Sequence, residues 1–311
     1  MRRGYNEAQV IAAQRKRTAV SAVLIFLLIP ALIFLGVTLL DDRQYTLVSW
    51  LILASTTAPF FMVFEKRKPK AREIVLIAMM CALTICAQLI SRITVGIAAG
   101  TGLIILCGIS LGPEAGFLIG SLARFVLNFY EGQGPWTPWQ MFCWGLLGFL
   151  SGLVFNRSNV EKLKSREFKL VMGPVLMVVL AVILVYVSYL IVPGEDGFFG
   201  WRLYVFGAVG LLLGVLFQRK RLPVDWVTLS IFTFLGVFII YGGLMNICAM
   251  VTATSIPGGE SVSWLTMQGL YLSGVPYDFF HAGTAAFFNL VFGDGVIKKL
   301  ERVKLKYGIY R

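Results

Sequence analysis

The chain has 311 residues, 58% of them hydrophobic and 14% charged, with a mean hydropathy of +0.79. That balance excludes a soluble globular domain and points to a polytopic membrane protein. The net charge of +12 does not call for nucleic acid, because Lys and Arg gather in short segments between apolar runs, where they set membrane orientation.

A bilayer crossing needs roughly 20 apolar residues. In chain order the predicted spans are 18–40, 45–64, 73–91, 97–112, 115–130, 138–155, 170–192, 202–217, 225–249 and 277–294, and the stretch 97–130 admits other divisions. The first run follows a polar segment and reads as an anchor that is kept, not a cleaved leader. The segments 1–17, 65–72, 156–169, 218–221 and 298–311 are rich in Lys and Arg, while the alternating segments 41–44, 91–95, 130–138, 193–201 and 254–264 carry few. The positive-inside rule then places both termini in the cytoplasm and 130–138 and 250–276 outside. An Asn-Arg-Ser sequon at Asn156 falls on the cytoplasmic side and is discounted. The domains read as a two-span hairpin over 1–66, four bundle helices over 67–155, a second two-span hairpin over 156–223, and two last helices with a basic tail over 224–311.

Enzyme signatures are missing. His281 is the single histidine, which excludes a multi-histidine metal site. There is no HExxH, GxSxG or GxxxxGK[ST] motif, and no Asp-rich cluster for Mg²⁺ and pyrophosphate within the spans. No cofactor is expected. Cys81, Cys86, Cys107, Cys143 and Cys248 form no CxxC pair and read as small packing residues.

Polar side chains concentrate instead at the outer ends of spans. Arg124 and Asn128, four apart, share a helix face. They precede YEGQGPWTPWQMFCWG (130–145), which sets Gln133, Trp136, Trp139, Gln140 and Trp144 among glycines and prolines. Proline and glycine stiffen that stretch as a pocket wall or lid requires. An interfacial aromatic belt and an internal partner for Arg124 are the plainer readings. Tyr277, Asp278 and His281 gather at the start of the last predicted span, with Asn246 near the outer end of the one before. There, Asp278 reads either as a carboxylate on free helix amides or as part of a binding site. Gly112, Gly116 and Gly120, and again Gly148 and Gly152, recur every four residues, as close helix packing requires. Ala78 and Ala82, with Cys86 beyond, make a similar small-residue stripe on the third span.

Three stretches carry a family resemblance: REIVLIAMMCALTICAQLI, LGPEAGFLIGSLARFVLNFYEGQGPWTPWQMFCWGLLGFLSGL and GVPYDFFHAGTAAFFNLVFGDGVIKKLERVKLKYG. From about residue 72 onward the chain resembles the substrate-binding S component of an energy-coupling factor (ECF) transporter. The resemblance implies an all-α integral membrane protein, a six-helix bundle to which the hairpins at 18–64 and 170–217 are additional. It implies a vitamin-like ligand held at the outer face of a multi-pass plasma-membrane protein. It also implies a transmembrane coupling protein docked at Ala78 and Ala82, and two cytoplasmic ATPases. The tryptophan-rich stretch suits a large, partly planar ligand. The resemblance implies a cobalamin-type molecule first, with riboflavin and queuosine-like bases also open. Outside the resemblance, a membrane scaffold that assembles partners is the second reading and an integral membrane enzyme using Asp278 and His281 the third.

Overall fold

The structure is a computed structural model that describes residues 19–39, 45–62, 71–93, 96–155, 172–194, 196–198, 200–217, 224–254 and 263–308. The basic segments 1–17, 156–169 and 218–221, and most of 65–72, lie outside the described residues. The described chain is all-α. Its helices are α1 (Ala19–Leu39), α2 (Tyr45–Met62), α3 (Ala71–Ile93), α4 (Ala99–Leu111), α5 (Pro113–Glu131), α6 (Trp136–Val154), α7 (Met172–Ile191), α8 (Trp201–Phe217), α9 (Trp226–Thr254) and α10 (Trp264–Tyr307). Ala19–Leu39, Ala71–Ile93 and Trp226–Ala253 are long and apolar enough to cross a bilayer, and shorter apolar helices accompany them. The protein is a multi-pass membrane protein.

Nine of the helices lie close to the predicted spans, and the last differs. Instead of a span at 277–294 between a long outer loop and a basic tail, one helix of 44 residues takes in the span, the thirteen residues before it and most of the tail. The side chain of Ser263 starts it by accepting from the Thr266 amide, and Gly308 ends it in the left-handed conformation. At 1.5 Å per residue it is about 66 Å long, roughly twice the hydrocarbon thickness of a bilayer.

The bundle is built around α4. All thirteen of its residues are buried, and at about 20 Å it is too short to span alone. Gly112, with φ of 105°, turns the chain sharply from α4 into α5, and Pro113 occupies the first turn of α5, where its missing N–H costs nothing. Gly112 is thus a reversal and not part of the packing stripe. The other glycines pack as expected. A Cβ on Gly116 would come within 2.6 Å of the Gly148 carbonyl oxygen, on Gly120 within 2.5 Å of that of Trp144, and on Gly152 within 2.5 Å of the Pro113 nitrogen. The hydroxyls of Ser121 and Ser151 then donate across the same contacts, to Met141 O and Ile105 O, both at 3.0 Å. Small residues and short hydroxyl bonds are what hold helices together where lipid supplies no hydrophobic drive.

The main core joins α3 to α6 with α8, α9 and α10. A second apolar layer is made by Ile25, Ile29 and Ile52 of α1 and α2 against Phe117, Phe125 and Phe149 of α5 and α6. At the end of the bundle away from the α5–α6 turn, Lys304 Nζ donates to the Ser110 carbonyl at 2.6 Å, a cation on the C-terminus of α4, and also pairs with Glu301 at 2.6 Å. Four of the cysteines pack inside as predicted, whereas Cys86 is exposed on α3.

Candidate functional site

The stretch predicted as a stiff loop is mostly helix. Gly132, with φ of 106°, ends α5, and only Gly132–Pro135 separates it from α6. The Gly134 amide donates to Thr137 Oγ1 at 3.1 Å, and Thr137 N donates back to Gly134 O at 2.9 Å, which fixes the first turn of α6. The aromatic and amide side chains therefore leave a helix at 100° intervals, and they part company. Thr137, Gln140 and Trp144 face α5. Trp139 packs on the second apolar layer, and Trp136 is 39% exposed, its indole donating to Gly132 O at 3.3 Å.

The α5-facing side chains form a closed polar group. Arg124 is 5% exposed. Its Nε donates to Gln140 Oε1 at 2.9 Å, one terminal nitrogen pairs with Glu131 Oε2 at 2.9 Å, and its guanidinium lies 5.1 Å from the Trp144 ring centroid. Arg92, at the end of α3, reaches the other oxygen of Glu131 at 2.9 Å. Asn128 is fully buried and donates to Thr137 Oγ1 at 3.0 Å and Gln140 Oε1 at 2.9 Å. Gln133 donates to the Phe125 carbonyl at 3.2 Å. Arg124, Asn128 and Glu131 follow the i, i+4, i+7 rule of one helix face.

A second polar group forms where α8, α9 and α10 meet. Asp278 is 4% exposed and accepts at Oδ2 from Tyr204 OH at 2.6 Å and from Asn246 Nδ2 at 3.0 Å. It lies fourteen residues inside α10, so it is not on free helix amides, as one reading of the sequence had it. In α9 the segment Gly236–Gly242 is π-helical, a geometry frequent at functional sites, and it brings the backbone close to this carboxylate. A Cβ on Gly242 would stand 2.6 Å from the Asp278 carboxyl. His281 Nε2 is 3.0 Å from Thr101 Oγ1, and the His281 ring meets the Tyr241 ring edge-on at 4.7 Å. Tyr277 is 66% exposed, on another side of α10 from Asp278.

His281 is flanked by two rings, Tyr241 of α9 edge-on at 4.7 Å and Tyr277 of its own helix tilted at 6.2 Å. Trp144 Nε1 and His281 Nδ1 are buried with no hydrogen-bond partner among the described residues, one from each side. Buried polar atoms are nearly always satisfied, by protein or by ordered water. The structure thus brings together Arg124, Asn128, Gln140 and Trp144 in one group and Asn246 and Asp278 in the other, keeps Tyr277 beside His281 with their ring centroids 6.2 Å apart, and sets Trp136 and Trp139 apart. Sequence reasoning missed Glu131, Thr137, Thr101, Tyr241 and Tyr204. The i+7 spacing from Arg124 identifies Glu131, whereas nothing local marks Tyr204.

Two further features frame the site. A cavity of about 370 Å³ opens between the α7–α8 connection and the start of α10, lined by Pro193, Asp196, Arg202, Trp264 and Gln268 among others. On α3, Ala78 and Ala82 are exposed, in a face with Val75, Met79 and Leu83, while Leu76, Ile77, Met80 and Cys81 turn inward. The small-residue stripe is therefore an outer surface of the bundle and not internal packing.

Residues 68–199, less than half of the chain, match the model of the family described as ECF-type riboflavin transporter, S component. Over that stretch the chain is similar to ECF S components, as its motifs imply. The match includes α7, which the sequence reading had assigned to an additional hairpin. A UPF0397 protein of Lacticaseibacillus casei (strain BL23) is 44% identical over 50 residues, 16% of this chain. The aligned part spans about a quarter (26%) of that relative's length. No solved structure matches.

Proposed function

We propose that this chain is the ligand-capturing S component of an ATP-driven ECF uptake transporter, and that its ligand is a planar heterocyclic nutrient, riboflavin first. The observation that carries the reading is the pair of buried polar groups around Tyr241 and His281 in a chain whose residues 68–199 match that family. Aromatic rings and a few convergent polar atoms are what a small planar ligand needs. The family's description favours a flavin over the cobalamin-type ligand that the resemblance implied. So does the placement of Trp136 and Trp139, which stand away from the polar groups.

In this reading the α5–α6 turn faces outward and both termini lie in the cytoplasm, in keeping with the charge asymmetry. The chain carries out no catalysis. Energy comes from two cytoplasmic ATPases through a transmembrane coupling protein that docks on the exposed Ala78–Ala82 face of α3. The hairpins α1–α2 and α7–α8 flank the six helices α3–α6, α9 and α10.

Riboflavin fluorescence tests the ligand. Titration of purified protein into riboflavin in detergent quenches the flavin emission saturably, with one equivalent per chain. Absence of quenching, with a different molecule recovered from the purified protein by mass spectrometry, overturns the flavin assignment. Ala78→Leu then separates coupling from capture, since uptake by cells falls while binding by the isolated chain persists. Loss of both together overturns the docking assignment.

A further inference from the structure

The α7–α8 hairpin meets the site at one polar contact. Tyr204, in the first turn of α8, is 2% exposed, and its hydroxyl donates to Asp278. Its ring is held on two sides, stacked on Phe238 at 5.2 Å and 20°, and tilted against Tyr271 at 5.0 Å. Tyr271 is fixed in turn, donating to the Gly243 carbonyl at 3.0 Å. The start of α8 is also anchored. Arg202, 1% exposed, holds Asp196 through two hydrogen bonds of 2.7 and 2.8 Å and donates to Ser188 O at 3.1 Å. Tyr204 is therefore rigid, although it lies beyond the stretch that matches the family model.

What it holds is unusual. Asp278 is a buried carboxylate that forms no ion pair among the described residues. Both of its hydrogen bonds go to Oδ2, from Tyr204 and Asn246, so Oδ1 has none. A buried carboxylate without a cation costs several kcal/mol unless donors satisfy it. Two donors on one oxygen lock the group's rotation and leave Oδ1 without a hydrogen bond, beside the side-chain-free Gly242, where a Cβ would stand 3.0 Å from it. The phenol that holds it is itself packed between Phe238 and Tyr271, so the surroundings of the carboxylate are aromatic.

We infer that Tyr204, contributed by the α7–α8 hairpin, is a positioning residue of the ligand site: it holds Asp278 so that Oδ1 accepts an N–H donor from a planar nitrogen heterocycle. The inference rests on the flavin reading above and names the atom of the ligand it concerns, the imide N3–H of the isoalloxazine ring. The hairpin is then a wall of the site and selects among ligands by the presence of that donor.

The test uses the full chain, with riboflavin and 3-methylriboflavin as probes. Methylation at N3 removes the donor and keeps the ring. Wild-type protein binds riboflavin about tenfold or more tighter than the methylated analogue, because a hydrogen bond to a charged acceptor is lost. In Tyr204→Phe the ring packing and thermal stability persist, riboflavin binds more weakly, and the preference falls to about threefold or less. Asp278→Asn lowers the preference in the same way. A Tyr204→Phe protein that keeps the full preference overturns the role of Tyr204. A wild-type protein that binds both flavins equally overturns the assignment of N3–H to Asp278, while leaving the flavin reading standing. A wild-type protein that binds neither overturns the flavin reading and this inference with it.

Discussion

The two buried polar groups at the centre of this bundle contrast in how their charge is handled. In the first, the cation Arg124 meets the anion Glu131, and the half-exposed Arg92 adds a second cation, so the buried carboxylate is paired within the protein. In the second, Asp278 is held by two neutral donors, a phenol and an amide, and no ion pair joins it among the described residues. A paired buried charge is a structural element whose loss strands its partner. A buried charge held only by neutral donors keeps interaction strength in reserve. The contrast teaches that polarity inside a membrane bundle does not by itself identify a binding group, and that charge balance divides the structural residues from the receptive ones.

The largest expected effect tests the first half of that division. Arg124→Met leaves Glu131 buried with one remaining, half-exposed cation. Breaking a buried pair costs about 3–5 kcal/mol, so the melting temperature in detergent drops sharply. Adding Glu131→Gln recovers a good part of the loss. Asp278→Asn, by contrast, melts within about 1 kcal/mol of wild type, since the isosteric amide keeps a carbonyl oxygen to accept from Tyr204. Equal melting of Arg124→Met and wild type would break the comparison.

Trp139→Ala comes next. It removes an indole from the second apolar layer, at a cost of about 2 kcal/mol for a partly buried aromatic ring, while the riboflavin dissociation constant stays within about threefold. A tenfold loss of affinity without loss of stability would return Trp139 to the site. Gly242→Ala sharpens the second half of the division. Its Cβ would enter the Asp278 carboxyl at 2.6 Å. Overpacking costs about 1–3 kcal/mol, and flavin affinity falls about tenfold by calorimetry, because the carboxylate is displaced from its aim.

The smallest effect depends on pH. Arg202, through its hydrogen bonds, holds the Asp196 carboxyl below the usual carboxylate range. With the folded-state value depressed, the contribution to stability is present above the unfolded value of about 4 and lost as pH falls through the folded value. Asp196→Asn therefore melts below wild type at pH 7, and the gap narrows as the pH is lowered beneath about 4. A gap that widened in acid would contradict the pair.

How much of this was readable beforehand follows from range. Hydropathy places nine helices because each is a local apolar run. It stops α10 short, because Ser263, Gln268 and the Lys298–Lys306 region look like loop and tail. Tertiary contacts override that pattern: Ile297 and Leu300 are buried against the core, and the Ser263 cap secures the first turn. The tryptophans mislead for the opposite reason. Trp136, Trp139 and Trp144 sit close in sequence, yet helical rotation sends them to surface, second layer and core. Arg124 and Asn128 were legible by spacing, and Glu131 was within reach of the same rule. Tyr204 was not, since 74 residues separate it from Asp278 and only the packing of the hairpin brings them together.

The unbroken length of α10 has a mechanical consequence. Its first turns line the cavity at Trp264 and Gln268, its middle bears Asp278, and its last turns reach Ser110 through Lys304. There the ring of Tyr307 also lies 5.8 Å under the guanidinium of Arg72, at the head of α3. A single helix is a stiff beam, and the thirty-odd residues from Pro276 to Tyr307 make a lever arm of about 46 Å. A tilt of about 5° at Pro276, where the proline removes a hydrogen bond from the ladder, moves the far end by about 4 Å. Asp278 and the contact of Tyr307 with Arg72, two turns from the exposed Ala78, thus lie on one rigid body, with no chain of intervening contacts needed to carry a displacement between them.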